Sequence, residues 1–469
     1  MDAAPCSAMP PLRRLLLGLI AVAALACSAP ERPPNLLLIL ADDLGWNDVG
    51  WHGGPIRTPR LDALAEGGVR FERFYSQPLC SATRASLLTG RYPMRQGLQM
   101  GVIRPWASYG LPLGERTLAE ELRERGYRTA ILGKWHLGFA NDALLPTRRG
   151  FDHHYGHYTG AIGYETHRFL GGLDWHRDER SVLEVGYTTS LIADGAIRWL
   201  AEGDRERPFF LFVSFNAPHT PLQAPAGSEE EYAHIADERR RTYAAMVTAL
   251  DAATGRILDF IEEDGLLDDT LVVFASDNGG EPSAGADNSP LRGGKSRSYE
   301  GGVRVPAFIY WRGRLPAGGA ITVPVQVADL FPTLVTLAGR PPDPMLELDG
   351  RDLWPLLTGE ADHLHETLLL ELTRGRAALR EGAGPYKLVV KRLDGEAERL
   401  ELYDLDADPY ETRDLARERG EVAARLRARL RAYQEQAADA RWTSDERPPG
   451  GFRIPGVWSP RGLRAANPP

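Results

Sequence analysis

Four short runs of the chain are apolar almost without interruption, and each ends in a polar cluster. Asn35–Leu40 leads into Asp42-Asp43, and Thr129–Leu132 into Gly133-Lys134-Trp135-His136. Phe209–Phe215 leads into Asn216-Ala217-Pro218-His219, and Thr270–Ala275 into Ser276-Asp277-Asn278-Gly279-Gly280. A strand with one wet face alternates apolar and polar side chains, whereas a strand covered on both faces does not. These runs therefore predict a sheet with helices on both sides. Helical patterns lie between them over Arg60–Gly67, Thr117–Arg125, Ser190–Glu202 and Tyr243–Asp264, the second opened by a Thr117/Glu120 capping box. Strands alternating with helices give an α/β layer fold. In such sheets ligands gather beyond the carboxyl ends of the strands, so the fold should collect all four polar clusters on one rim.

At 469 residues the chain exceeds one ordinary domain. Its texture changes past Leu346. Glu366–Thr373, Tyr386–Arg392 and Leu400–Leu405 read as short strands and Glu421–Gln436 as an Arg-rich amphipathic helix, a second, smaller α+β unit. The predicted organisation is a leader over 1–26, a catalytic domain over 33–345, the α+β unit over 346–440, and an irregular tail over 441–469 that is rich in Pro, Gly and Arg from Thr443 onward. Hydrophobic residues at 43% and charged residues at 25% are ordinary globular usage and exclude a collagen, a coiled coil or a multi-span membrane protein. A net charge of −9 argues against blanket nucleic-acid binding.

Arg13-Arg14, the uncharged run Leu15–Ala26 and the small residues before Cys27 read as an export signal. The leader directs either plain secretion or, with Cys27 as an acylated first residue, anchoring as a lipoprotein; Ala24 stands where such sites usually have leucine. The expected location is the periplasm, free or held at the outer membrane. Cys6 leaves with the leader, so Cys80 is nearly alone in an oxidising compartment and a disulfide framework is excluded.

Cys80 should open a helix over Ala82–Leu88, where the helix N-terminus lowers a thiol pKa, with Arg84 one turn on pointing back at it. Asp42, Asp43, Asp277 and Asn278 bring four hard oxygen donors to predicted strand ends, favouring Ca²⁺ or Mg²⁺ over Zn²⁺. Lys134, His136, His219 and Lys295 form a cationic set. Only four of the 55 basic residues are lysines (Lys134, Lys295, Lys387 and Lys391), so two lysines inside strand-end motifs point to a need for a compact ammonium, which suits a tetrahedral oxyanion. The segment Phe151–His157 reads as a substrate wall, with a zinc site at His153, His154 and His157 as the weaker alternative. Trp106, Trp135, Tyr164 and Trp175 are either sugar platforms or core residues.

The stretch from Cys80 to Gly90, continued by Arg91-Tyr92-Pro93, closely resembles the sulfatase signature C-x-P-S-R…L-x-T-G-R. Gly45–Gly50, Gly133–Gly138, Pro146–Asp152, Pro290–Lys295, Glu300–Arg304 and Leu402–Leu405 with Asp408, Pro409 and Glu411 are also similar to that family, so the likeness runs from about Asn35 to Leu415. Within it the chain is similar to the arylsulfatase B (N-acetylgalactosamine-4-sulfatase) branch. The resemblance implies an alkaline-phosphatase-like mixed sheet sandwiched by helices, and hydrolysis of sulfate monoesters on amino sugars or sulfated polysaccharide fragments. It implies oxidation of Cys80 to formylglycine by a separate maturation enzyme. It also implies calcium, or magnesium, on Asp42, Asp43, Asp277, Asn278 and residue 80. Lys134, His219 and Lys295 would bind sulfate oxygens, with Lys295 or His219 protonating the leaving alcohol. His136 would act as base when the sulfated hemiacetal collapses, and Arg84 would hold the hydrate. Ala82 stands at the usual proline, which implies a maturation enzyme that accepts alanine; Thr83 for Ser is a mild change. The rival readings are a phosphoester or phosphonate hydrolase of the same superfamily and an unmatured sulfated-glycan binding protein.

Overall fold

The computed structural model describes residues 1, 32–391, 397–441 and 447–467. The predicted leader with Cys6, the predicted acylation site Cys27, Arg392 and Thr443 lie outside the described residues. Ten strands form one large sheet in the order Gly319–Ile321, Val69–Phe71, Ala307–Tyr310, Thr270–Ser276, Asn35–Ala41, Phe209–Ser214, Arg128–Lys134, His153–His157, His176–Arg177 and Arg180–Ser181. The five strands from Thr270–Ser276 to His153–His157 run parallel, and each of the two outermost of them has an antiparallel neighbour, so the sheet is mixed.

Both faces are covered, as the unbroken apolar runs require. Along the Asn35 strand, Leu36, Leu38 and Leu40 enter one core and Leu37, Ile39 and Ala41 the other. The helices Cys80–Thr89, Leu118–Glu124 and Leu330–Leu337 fill the first core. Pro59–Gly67, Thr188–Ala201 and Glu238–Glu263 fill the second. The capping box at Thr117 forms: its hydroxyl accepts from the Glu120 amide, and the Glu120 carboxylate accepts from the Thr117 amide. The long second-face helix begins five residues before the predicted Tyr243, at Glu238. Its first turns, Glu-Arg-Arg-Arg, carry no apolar periodicity, and the start is set by Asp237, whose side chain accepts from the Arg240 amide.

Beyond the large sheet, Thr367–Leu372, Arg376–Glu381, Tyr386–Lys391 and Arg399–Asp404 form a four-stranded antiparallel sheet in sequential order. The helix Gly420–Glu435 covers one face, and the other face packs on Tyr75 and Val303 of the larger unit. The strand Arg376–Glu381, Arg-Ala-Ala-Leu-Arg-Glu, was not expected, because its short apolar stretch is bracketed by charges that ordinarily mark a surface. The tail is not irregular throughout. Its isolated bridge Leu173↔Val457 and the fully buried Trp458, whose Nε1 donates to the Phe169 carbonyl at 2.7 Å, return it to the large sheet's flank, and Pro460–Ala466 is helical. Among the described residues no helix is long and apolar enough to cross a membrane.

Candidate active site

The parallel strands end in register, with Leu40 paired to both Ser214 and Ala275 and Ser214 paired to Gly133. Their polar extensions therefore meet at one rim. Consecutive residues of an extended strand point to opposite faces. A left-handed residue breaks that alternation just past the strand: Asp43 has φ 66°, and its amide lies 3.3 Å from Asp277 Oδ1. Asp42 and Asp43 can thus both reach the same cluster. Past the Arg128 strand, His136 makes a similar turn at φ 56°.

Lys134 is fully buried and its Nζ donates to Asp42 Oδ2 at 2.6 Å. Lys295 donates to Asp43 Oδ2 at 2.7 Å, and His219 Nε2 lies 3.7 Å from the same oxygen. Burial alone would raise Asp43, but Lys295 and then His219 bring it down to about 2. Asp277 is pushed up to about 6, first by burial and then by Asp42, against the pull of Arg84 and Lys134. Arg84 Nε and Nη2 both donate to Asp277 Oδ2, at 3.2 and 3.0 Å, and Nη1 donates to the Lys134 carbonyl and to Ser214 Oγ. Arg84 therefore reaches Asp277, whose carboxylate belongs to the same cluster as the Cys80 sulfur.

Two buried oxygens in this cluster accept no hydrogen bond among the described residues: Asp42 Oδ1 and Asn278 Oδ1. Asn278 turns its amide nitrogen to Asp43 Oδ1 at 2.7 Å, leaving the carbonyl oxygen free. Ligand atoms of Asp42, Cys80 and Asp277 all lie within 4.8 Å of one another, as do those of Asp42, Asp43 and His219. Buried acceptors without donors, beside an Asp277 carboxyl raised by burial and by its neighbour Asp42, fit a hard divalent cation.

Cys80 is the first residue of its helix, and its Sγ lies 3.3 Å from His136 Nδ1. His136 Nε2 lies 3.1 Å from the Ile103 carbonyl. A carbonyl only accepts, so Nε2 carries the proton and Nδ1 presents a lone pair to residue 80. Burial first, then Lys134 and Arg84, hold this imidazole neutral, well below its usual pKa. The expected lowering of the thiol does not occur. Burial pushes Cys80 up and outweighs the opposing pull of Lys134 and Lys295. The helix-terminus effect is worth roughly 0.3–1 kcal/mol at exposed positions and is overtaken when the sulfur is sealed from water. His219 is pushed down to about 3 by burial and then Lys295.

Three positioning groups escaped the sequence reading. Ser81 Oγ donates to the His136 carbonyl at 3.1 Å and accepts from the Ile103 amide at 3.0 Å, fastening the loop that orients His136. Gly160 sits against the imidazole, where an added Cβ would lie 2.5 Å from His136 Cε1. Ser81 lies inside the Cys80 stretch and was within reach of the motif; Ile103 acts through its backbone and Gly160 through an absent side chain, so neither left a compositional signal. Phe151–His157 is not a substrate wall, because His154 and His157 are fully buried in a strand, while His153 Nδ1 pairs with Asp178 at 2.8 Å. Trp135, Tyr164 and Trp175 are core residues, each at most 1% exposed. Trp106 is half-buried, edge-on to Phe452 with ring centroids 6.2 Å apart.

A mixed sheet with acidic and cationic strand ends on one rim defines an alkaline-phosphatase-like hydrolase fold. The sulfatase family model matches residues 34–340, and the chain belongs to the sulfatase family. It is 33% identical to mouse arylsulfatase J, over 93% of this chain and 81% of that one. Identity is 38% to human arylsulfatase A (79% and 76% covered) and 36% to dog N-acetylgalactosamine-6-sulfatase (74% and 70%). The crystal structure of Ps i-CgsB in complex with k-i-k-neocarrahexaose superposes with a TM-score of 0.82 at 31% identity, covering 88% of this chain and 96% of that one. A phosphonate monoester hydrolase of Agrobacterium radiobacter shares the fold at a TM-score of 0.60, 23% identity and coverage of 86% and 96%. The chain is a sulfuric ester hydrolase. Its relatives span aryl- and N-acetylgalactosamine-6-sulfatases, so they establish the family rather than the 4-sulfatase branch.

Proposed function

We propose that this protein hydrolyses sulfate monoesters on sulfated carbohydrates, most specifically amino sugars, using Cys80 after its oxidation to formylglycine by a maturation enzyme that accepts Ala82. The observation that carries the reading is the placement of Cys80, with its sulfur against the lone pair of a neutral, oriented His136 and among the carboxylates of Asp42 and Asp277. Sulfated-sugar substrates are supported by relatives named as N-acetylgalactosamine-6-sulfatases.

Asp42, Asp43, Asp277 and Asn278 would hold the cation, for which we propose calcium. When bound, it supplies charge neutralisation for a sulfuryl group and for the hydroxyl of a matured residue 80. The remaining work falls to the chain. Lys134 and Lys295, each tied to an aspartate of the rim, place two ammonium groups toward sulfate oxygens where negative charge builds. Lys295, or His219 once the negative charge of a bound sulfate restores the proton that burial and Lys295 remove, is in place to pass a proton toward the departing alcohol oxygen. His136 Nδ1 accepts a proton from the hydroxyl of matured residue 80, and Ile103 keeps that nitrogen free to do so. Arg84 fixes the Asp277 carboxylate and the end of the Lys134 strand. The net reaction adds water across the S–O bond and releases alcohol and sulfate.

Mass spectrometry of the Cys80 peptide tests maturation: one sulfur and two hydrogens should be exchanged for one oxygen. An intact thiol in active enzyme overturns the nucleophile assignment. Sulfate release from a panel of sulfated mono- and disaccharides tests the substrate class, and activity on aryl sulfates alone would remove the amino-sugar assignment. Export to the periplasm rests on Arg13-Arg14 and Leu15–Ala26, and lipid anchoring on Cys27. Fractionation with and without Cys27→Ser separates the two routes.

A further inference from the structure

A second buried ionic cluster lies away from the rim, where the C-terminal sheet packs on the larger unit. Arg380 is fully buried there, and its Nε, Nη1 and Nη2 have no hydrogen-bond partner among the described residues. Its register deepens the problem. Arg380 pairs directly across the antiparallel ladder with Lys387, in the row Leu368–Arg380–Lys387–Tyr403, so two cations stand side by side on one covered face. Like charges directly opposite repel, and an unpaired buried charge is among the costliest features a fold can carry.

The neighbouring carboxylates are engaged by other groups, apart from Glu411 Oε1, which is close to Lys387 Nζ but accepts no hydrogen bond among the described residues. Lys387 Nζ donates to Glu300 Oε1 at 2.8 Å and lies 2.9 Å from Glu411 Oε1. Glu300 Oε2 accepts from the Tyr75 hydroxyl at 2.8 Å and lies 3.8 Å from Arg304, while Glu411 Oε2 accepts from the Glu300 amide at 2.7 Å. The Tyr75 ring approaches the Arg380 guanidinium with 5.5 Å between centres, which leaves the in-plane N–H groups unanswered. Three cations, Arg304, Arg380 and Lys387, thus face two carboxylates, Glu300 and Glu411. The surroundings are Leu368, Leu370, Ala378, Val389 and Tyr403, which offer little else.

We propose that a small monovalent anion, chloride in a natural setting, binds against the Arg380 guanidinium and completes this cluster. One missing charge calls for a monovalent ion. A sulfate would bring a second charge and more acceptors than one guanidinium can serve, so the site is distinct in chemistry from the rim. The anion would latch the C-terminal sheet to the helix Glu300–Val303. In that helix the Gly302 carbonyl accepts from the Gly279 amide at 3.0 Å and the Val303 carbonyl from the Ser76 amide at 2.8 Å. Those contacts lead to the segments that carry Asp277-Asn278 and Cys80.

The test is the melting temperature of the full-length protein in chloride or bromide against gluconate at equal ionic strength, together with crystals grown in bromide. Wild type should gain a few degrees with halide, Arg380→Met should lose that dependence, and anomalous density should appear at Arg380. An ordered water at Arg380 overturns the proposal, as does a halide response that survives in Arg380→Met. A bromide peak without any change in melting temperature marks an adventitious ion only and also overturns it. If Arg380→Met does not fold, the wild-type crystals and melting curves decide by themselves.

Discussion

The two buried ionic clusters have opposite unmet needs. At the rim, Lys134, Lys295 and Arg84 are all spoken for, and the groups left over are acceptors, Asp42 Oδ1 and Asn278 Oδ1. At the C-terminal sheet, Glu300 is spoken for and Glu411 is ion-paired with Lys387, and among the described residues the groups left over are mainly donors, the three nitrogens of Arg380 and Nε of Arg304, against one acceptor, Glu411 Oε1. The first arrangement asks for a cation and the second for an anion. A buried polar group without a partner costs roughly 1–3 kcal/mol, more when charged, so the sign of what is unpaired indicates what is to be bound. The lysines show the same division. Lys134 and Lys295 line the rim, Lys387 is fully buried in the second cluster, and Lys391 pairs with Glu401 at 2.9 Å. Scarcity of lysine therefore marks a demanding ion pair, of which catalysis is only one kind.

The comparison breaks if rim variants and interface variants behave alike. Cys80→Ala should give the largest effect, a loss of roughly 10⁴-fold or more in kcat/KM on the scale of other nucleophile deletions, with the melting temperature retained; appreciable sulfate release would sink the assignment. Asp277→Ala should abolish calorimetric Ca²⁺ binding and turnover together. It also strands the fully buried Arg84, which should cost about 3–5 kcal/mol in denaturant unfolding. Normal ion affinity in this variant would refute the ligand role. Lys387→Met should cost a similar ~3–5 kcal/mol by removing the buried ammonium that Glu300 and Glu411 share, yet keep kcat in the folded fraction, which is the outcome that separates the two clusters most sharply. In Gly160→Ala the new methyl displaces the His136 ring, so kcat should fall on the order of 100-fold, the cost of about 1 Å of misplacement, while ion binding stays unchanged. Thr117→Ala, remote from both clusters, should cost only about 1 kcal/mol for the lost cap and leave kinetics untouched.

Much of the architecture was readable because it rests on local pattern. Asn35–Ala41 had to be a doubly covered strand, since no solvated strand carries Leu-Leu-Leu-Ile-Leu, and strands of that kind deliver their next residues to one rim. Asp42, Asp43, Lys134, His219, Asp277 and Asn278 were legible for that reason before any contact was known. Arg376–Glu381 was not, because its burial depends on Glu300, Glu411 and Tyr75, which lie far along the chain. The aromatic residues 135, 164 and 175 were equally ambiguous, since a ring in the core and a ring at a sugar site have the same spelling.

By itself the sequence determined the layered sheet, the rim and the kinds of donor gathered there, because apolar period and strand-end chemistry are properties of neighbouring residues. Only the tertiary structure decided which nitrogen of His136 is free, that burial overrides the helix terminus at Cys80, and that Arg380 stands unpaired. Those outcomes depend on solvent exclusion and on partners tens to hundreds of residues away, quantities no local stretch of chain contains.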